Sequence, residues 1–139
     1  LRDQIFSLEV DGIPPTINSS YSNSRLHLRR FLSADAKSFK NFVHLNVLEK
    51  RILVRFKEEF NYKKKIGHRF ELVVSVCQNW ILKSGEDKKQ DISNRLKIAE
   101  DAICEALEID DSKFSKVSIE KIQSKKDKKT LFKIYTYID

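Results

Sequence analysis

Methionine is absent from the 139 residues, and the chain has only two cysteines, three histidines and one tryptophan. Without a methionine there is no initiator, so Leu1 is not taken as the native first residue. Cys77 and Cys104 fall in no CxxC or Cys/His spacing, which argues against a zinc site or a disulfide. They read as two buried free thiols of a reducing compartment. His27, His44 and His68 are scattered, match no metal spacing and receive no role. No apolar stretch approaches the roughly 18 residues of a membrane span, and LRDQIFSLEV lacks a signal-peptide pattern. A soluble, cytoplasmic protein without a membrane partner is expected. No repeat or low-complexity segment interrupts the chain, whose length suits one domain, 1–139, around one core.

Acidic residues are outnumbered by basic ones, 20 to 27, giving a net charge of +7. This excess favours a polyanionic partner, nucleic acid before membrane.

Phe6, Leu8 and Val10 alternate with polar residues until Asp11-Gly12 and Pro14-Pro15, which predicts a strand over residues 4 to 11 entering a rigid turn. TINSSYSNSRLHLRR has no clear period and reads as a loop with a short strand at Leu26 to Leu32. Ser33 is a suitable N-cap. Phe39, Phe42, Leu45, Leu48 and Ile52 then recur at helical spacing, predicting a helix from Ala34 to Arg55. Phe70, Leu72, Val74 and Val76 mark a second strand ending near Trp80, itself assigned to the core or a dimer interface. After the charged loop ILKSGEDKKQ, the residues Leu96, Ala99, Ile103, Ala106 and Leu107 form one face of a helix over 93 to 108. Val117 to Ile122 and Thr130 to Ile138 read as a β-hairpin with a basic turn, SKKDKK; Tyr135 and Tyr137 share a face of its second strand. The expected fold is α/β (α+β), a mixed open sheet of about four strands with two main helices on one face.

The stretch from Asp91 to Asp111, DISNRLKIAEDAICEALEIDD, carries the chemistry. Phosphodiester hydrolysis has to offset charge on nonbridging oxygens and deprotonate a water, and Mg²⁺ held by carboxylates serves both needs. Asp91 before the helix and Asp110 or Asp111 beyond it are candidate ligands for Mg²⁺, or for Mn²⁺ in its place. Lys97 is the candidate ammonium for the phosphate and its transition state. Ser93, Asn94 and Lys97 share one rim of the helix. Singly, the same residues are also good caps and turn formers: Asp91 as an N-cap, Asp110-Asp111-Ser112 as a turn.

Taken together with other segments, the chain resembles the RusA family of Holliday-junction resolvases, phage-derived metal-dependent endonucleases. PPTINSSY at Pro14 to Tyr21 is similar to the family's Pro-Pro-Ser-x-Asn signature. LSADAKSFKNFV at Leu32 to Val43 is similar to its Ser-Ala helix start. Asp91 to Lys97 is similar to Asp-x-Asp-Asn-x-x-Lys, Asp101-Ala102-Ile103 to an Asp-Ala-Leu helix, and Asp110-Asp111 to an Asp-Asp pair. The resemblance implies that Asp91 and Asp111 are catalytic aspartates, Lys97 the essential lysine and Asn94 the motif amide.

Ser93 stands where the family has another catalytic aspartate, and a hydroxyl is a poor Mg²⁺ ligand beside a carboxylate. Glu100 is the first candidate to substitute for it and Asp110 the second. Alternatively, Glu100 forms a surface ion pair with Lys97. A helix from 94 to 107 spans about 21 Å, whereas four extended residues, 108 to 111, reach back about 13 Å. Joining Asp111 to Asp91 therefore requires a shorter helix or a site completed across an intertwined dimer.

Asn18, Arg29, Arg30, Lys88, Lys89, Asn94 and Arg95 are the candidate DNA contacts, with Lys63 to Lys65 and the Lys125 to Lys129 turn as further basic clusters. Tyr21 is either a DNA contact or a turn former. A homodimer would present paired sets of these residues to the arms of a four-way junction. The expected function is a Mg²⁺-dependent endodeoxyribonuclease acting on branched double-stranded DNA in recombination, repair or phage DNA processing. Its rivals are a junction-binding protein silenced by Ser93 and a basic interaction domain whose acids are only caps and turns.

Overall fold

The computed structural model describes residues 2–16, 21–23, 30–32, 34–89 and 92–139, with backbone alone at 21–23 and 30–32. Asn18, Arg29, Ser33 and Asp91 lie outside the described residues, as do the side chains of Tyr21 and Arg30. The elements are β1 (Arg2–Asp11), β2 (Tyr21–Asn23), β3 (Arg30–Leu32), α1 (Ala34–Glu49), α2 (Leu53–Lys65), β4 (Arg69–Gln78), α3 (Leu96–Leu107), β5 (Phe114–Gln123) and β6 (Lys129–Tyr137). Short 3-10 turns occupy Ile92–Arg95 and Asp111–Lys113. The main sheet has the order β1-β6-β4-β5, and β2 pairs with β3 in a small antiparallel ribbon.

Alternation along the strands assembles the core face. Phe6 and Leu72 flank Ile134, Leu8 and Val74 flank Phe132, and Val10 and Val76 flank Thr130 across neighbouring strands. Onto this face pack Ala36, Phe39, Val43 and Val47 of α1, Phe56 and Phe60 of α2, and Ile98, Ala99, Ala102, Ile103, Ala106 and Leu107 of α3. The fold is thus the expected mixed four-stranded α+β sheet, with three helices rather than two. Trp80 is buried with its indole N–H donating to the Val76 carbonyl at 3.1 Å, and Cys77 and Cys104 are buried free thiols. The opposite face is polar. There Ser75 donates to Glu120 at 2.7 Å, the Arg2 guanidinium sits 3.9 Å from the Tyr135 ring centroid, and the Lys116 ammonium lies 4.7 Å from that of Tyr137.

Three sequence expectations are corrected. The single helix from Ala34 to Arg55 is two helices, because Arg51 adopts a left-handed conformation (φ 52°) that an α-helix cannot continue through. The buried stripe of α1 shares only Phe39 with the predicted one. Ala36, Phe39, Val43 and Val47 face the sheet, while Phe42, Leu45 and Leu48 are 41%, 53% and 50% exposed. The third correction concerns β5 and β6, which are not a hairpin. β5 pairs parallel with β4 on one side, and β6 pairs antiparallel with β4 on the other. The link 124–128 therefore spans two interstrand spacings, about 10 Å, which five residues can bridge. Ser124 N–H donates to the Gln78 carbonyl at 2.9 Å as the link arches over the end of β4.

The two faces of α1 can be separated by substitution. Phe39→Ala is expected to cost about 3–5 kcal/mol in chemical denaturation, whereas Leu45→Ala should stay within about 0.5 kcal/mol of wild type. The reverse ranking would mean that Leu45, not the buried row, lies on the core face of α1.

Candidate active site

α3 follows the 3-10 turn Ile92–Arg95, which holds Ser93 and Asn94, so the α-helix proper begins three residues later than the apolar pattern suggested. One side of α3 is apolar and covers the sheet, and the other carries Lys97, Glu100 and Asp101. The helix ends at Glu108, whose left-handed backbone (φ 57°) reverses the chain while Ile109 N–H donates to the Cys104 carbonyl at 3.0 Å. Asp110 then caps the next turn, its carboxylate accepting from Ser112 N–H at 2.8 Å. This reversal delivers Asp111 back to the second turn of the helix.

Glu100, Asp101 and Asp111 consequently form one group, with a carboxylate oxygen of each within 4.8 Å of the others. Glu100 and Asp101 are half-buried and Asp111 is exposed. The rise from Glu100 to Leu107 is about 10 Å, inside the reach of the four residues that return. Asp111 therefore meets the middle of the helix within a single chain. Lys97 donates to Asp101 at 3.1 Å, an i,i+4 pair, in place of the expected partner Glu100.

The electrostatics follow from this crowding. Burial, and after it the Asp111 charge, push the Glu100 carboxyl above its usual range. The Asp101 hydrogen bond holds the Lys97 ammonium above the usual lysine range, with Asp111 and Glu100 acting in the same direction. Cys104, one turn beyond Glu100, is pushed up to about 12 by burial and by the same carboxylates, so it stays a thiol and not a nucleophile. The hydrogen bonds from Ser112 hold the Asp110 carboxyl below its usual range.

Arg95 turns inward. Its Nη1 donates to the Pro14 carbonyl at 2.5 Å, which ties the turn before α3 to the Pro14-Pro15 segment. Its Nε is buried with no hydrogen-bond partner among the described residues, and burial pushes the guanidinium pKa down. Together with Asp11, Ile13, Asp35 and Phe42, Arg95 lines a cavity of about 460 Å³. Lys88 is half-buried and Lys89 exposed, both at the end of the loop that leads into the site. Lys88 N–H donates to the Trp80 carbonyl at 2.8 Å.

Asp101 was not among the ligands proposed from sequence. Its signal was the four-residue spacing from Lys97 together with its place beside Glu100 on the polar side of the helix.

Burial of Glu100 beside Asp111 makes its ionised form costly. Because the folded Glu100 carboxyl binds its proton more tightly than the unfolded one, ionising it costs stability as pH rises through about 4.3. In metal-free buffer at pH 7, Glu100→Gln should melt a few degrees above wild type, with the gap closing toward pH 3. Thermal melts showing no gain at pH 7 would contradict the crowding.

No curated protein matches the chain. The family model described as endodeoxyribonuclease RusA matches residues 11–135, from the end of β1 through most of β6, and so includes α3 and the three clustered carboxylates. The chain therefore belongs to the RusA family of endodeoxyribonucleases.

Proposed function

We propose that this protein is a divalent-metal-dependent endonuclease that cuts branched double-stranded DNA, four-way junctions above all. The observation that carries the reading is the meeting of Glu100, Asp101 and Asp111 within 4.8 Å beneath the Lys97 ammonium. Hard divalent cations take oxygen ligands, and a cluster in which burial and the neighbouring Asp111 charge raise the proton affinity of Glu100 suits such a charge. Asp111, Glu100 and Asp101 would hold Mg²⁺ or Mn²⁺, joined by Asp91, with Asp110 kept to the capping of the turn. When bound, the metal supplies charge neutralisation at the scissile phosphate and lowers the pKa of a water. Lys97, half-exposed and paired only at the surface, can shift its ammonium from Asp101 to a nonbridging phosphate oxygen and stabilise the charge that develops there. Arg95 acts from beneath, holding the Pro14-Pro15 segment against the site instead of meeting DNA directly. Lys88, Lys89 and Asn94 lie on the approach to the site and, with Asn18, Arg29 and Arg30, are assigned to the DNA.

Symmetric nicking of two strands calls for two copies of the site, and a homodimer supplies them. The exposed row Phe42, Leu45 and Leu48 of α1 offers an apolar surface for such pairing. Recombination, repair and phage DNA processing all generate the substrate.

A synthetic four-way junction incubated with Mg²⁺ or Mn²⁺ tests the reading. Wild type should introduce paired nicks, and Asp91→Asn, Asp111→Asn and Lys97→Ala should each lower the rate by about 10²-fold or more. Ser93 in place of an aspartate favours a second reading, a junction-binding protein without cleavage, and binding with no nicks from wild type would establish it. Neither binding nor cleavage would leave only a basic interaction domain. Ser93→Asp should raise the nicking rate if the serine is a defect; a fall would mean that the site requires the smaller residue.

A further inference from the structure

α2 ends in three lysines, and the second of them, Lys64, meets Lys113 at the end of the turn that begins with Asp111. The two ammonium groups lie close enough that Lys113 pulls the Lys64 pKa below the usual lysine range. Among the described residues neither forms an ion pair with a carboxylate. Asp110, which feels the Lys113 charge, accepts from Ser112 N–H, and Asp139 pairs with Arg69. The lysines border a cavity of about 260 Å³ together with His68, Arg69, Ser112 and Ser115. His68 is engaged with Thr136 at 3.0 Å, and Ser115 with Tyr137 at 2.7 Å. Two like charges facing one small cavity, with no acid among its described lining residues, form a seat for an anion.

We propose that Lys64 and Lys113 hold a backbone phosphate of the bound DNA, next to the phosphate that lies over Glu100, Asp101 and Asp111. The assignment rests on the nuclease reading above. Lys113 is two residues beyond Asp111 in a 3-10 turn, which rises about 2 Å per residue. A DNA strand carries one phosphate about every 3.4 Å of helix axis. A strand laid over the carboxylates and continuing past Asp111 carries one of its next phosphates to the lysines. Lysine ammoniums, as point charges on flexible stems, suit a tetrahedral oxyanion whose orientation varies with the branch.

The test measures four-way-junction binding without divalent metal across a salt series for wild type, Lys64→Gln, Lys113→Gln and the double variant. Lys50→Gln, an exposed lysine between α1 and α2, is the control. Each seat lysine removed should flatten the plot of log K against log salt by about 0.9, and the double variant by about twice that, with Lys50→Gln matching wild type. With metal added, the double variant should need more junction for half-maximal cleavage while keeping the wild-type rate at saturation. Neither single variant should lower the melting temperature, because among the described residues neither lysine forms an ion pair. A wild-type salt slope in the double variant overturns the seat. A melting temperature several degrees lower overturns it too, by making the lysines structural. Inorganic phosphate bound by wild type and not by the double variant, with the DNA slope unchanged, would give the seat to a free anion and overturn the DNA assignment. Wild type that binds no junction removes the nuclease reading itself, and this seat with it.

Discussion

Two parallel neighbouring strands cannot be joined by a tight turn, because the second must start at the end of the sheet where the first began. In this chain that constraint falls between β4 and β5, which run parallel in register from Glu71 and Lys116 to Gln78 and Gln123. The return is made by α3, whose apolar side is drawn onto the sheet by Ile98, Ala99, Ala102, Ile103, Ala106 and Leu107. Its opposite side is left to solvent, with Lys97, Glu100 and Asp101 on it. The chain must then reverse sharply to enter β5. Glu108 accepts a left-handed backbone to do so, at a cost of about 1–2 kcal/mol for a residue with a Cβ. Lys57 holds the Glu108 carboxylate at 3.2 Å. The reversal places Asp111 beside Glu100 and Asp101, so the same crossover that builds the sheet also gathers the acids.

The distribution of charge gives this local geometry its meaning. A chain with an excess of seven positive charges draws a polyanion as a whole, yet three carboxylates stand together on the surface of α3. Such a cluster repels a phosphate unless a cation intervenes. Lys97 supplies one charge at the rim, and a divalent ion would supply the rest. The buried Cys104 thiol below contributes no charge, because burial and, after it, the same repulsion disfavour its ionised form. The Lys64 and Lys113 pair shows the opposite imbalance one turn away from Asp111, a surplus of positive charge awaiting an anion.

Much of this was legible in the sequence, for identifiable reasons. Period-two alternation revealed β1 and β4 because each presents one face to a single core. α3 was legible from its wide apolar stripe. The face of α1 was not, since Phe42, Leu45 and Leu48 keep helical spacing as faithfully as Phe39, Val43 and Val47, and only the tertiary packing chooses between the two rows. The false hairpin has a similar origin. Consecutive antiparallel strands with a short polar link give the same local signal whether or not another strand lies between them, and here β4 does. Asp101 escaped notice because an acid four residues after a lysine is an ordinary surface pair on a helix; its second neighbour, Asp111, comes from ten residues away through the reversal at Glu108.

That arrangement also alters the weight of Ser93. The serine lies in the turn before α3, about two helical turns from Glu100, so no side chain of the helix can take over its position directly. A divalent cation, however, is held by the number of carboxylate oxygens that converge, not by any one sequence position. Asp111 already converges with Glu100 and Asp101, independently of residue 93. A serine there removes one possible ligand from the entrance of the helix and leaves this group intact. Its effect should therefore fall more on how a cation is placed relative to the entrance than on whether the protein can hold one.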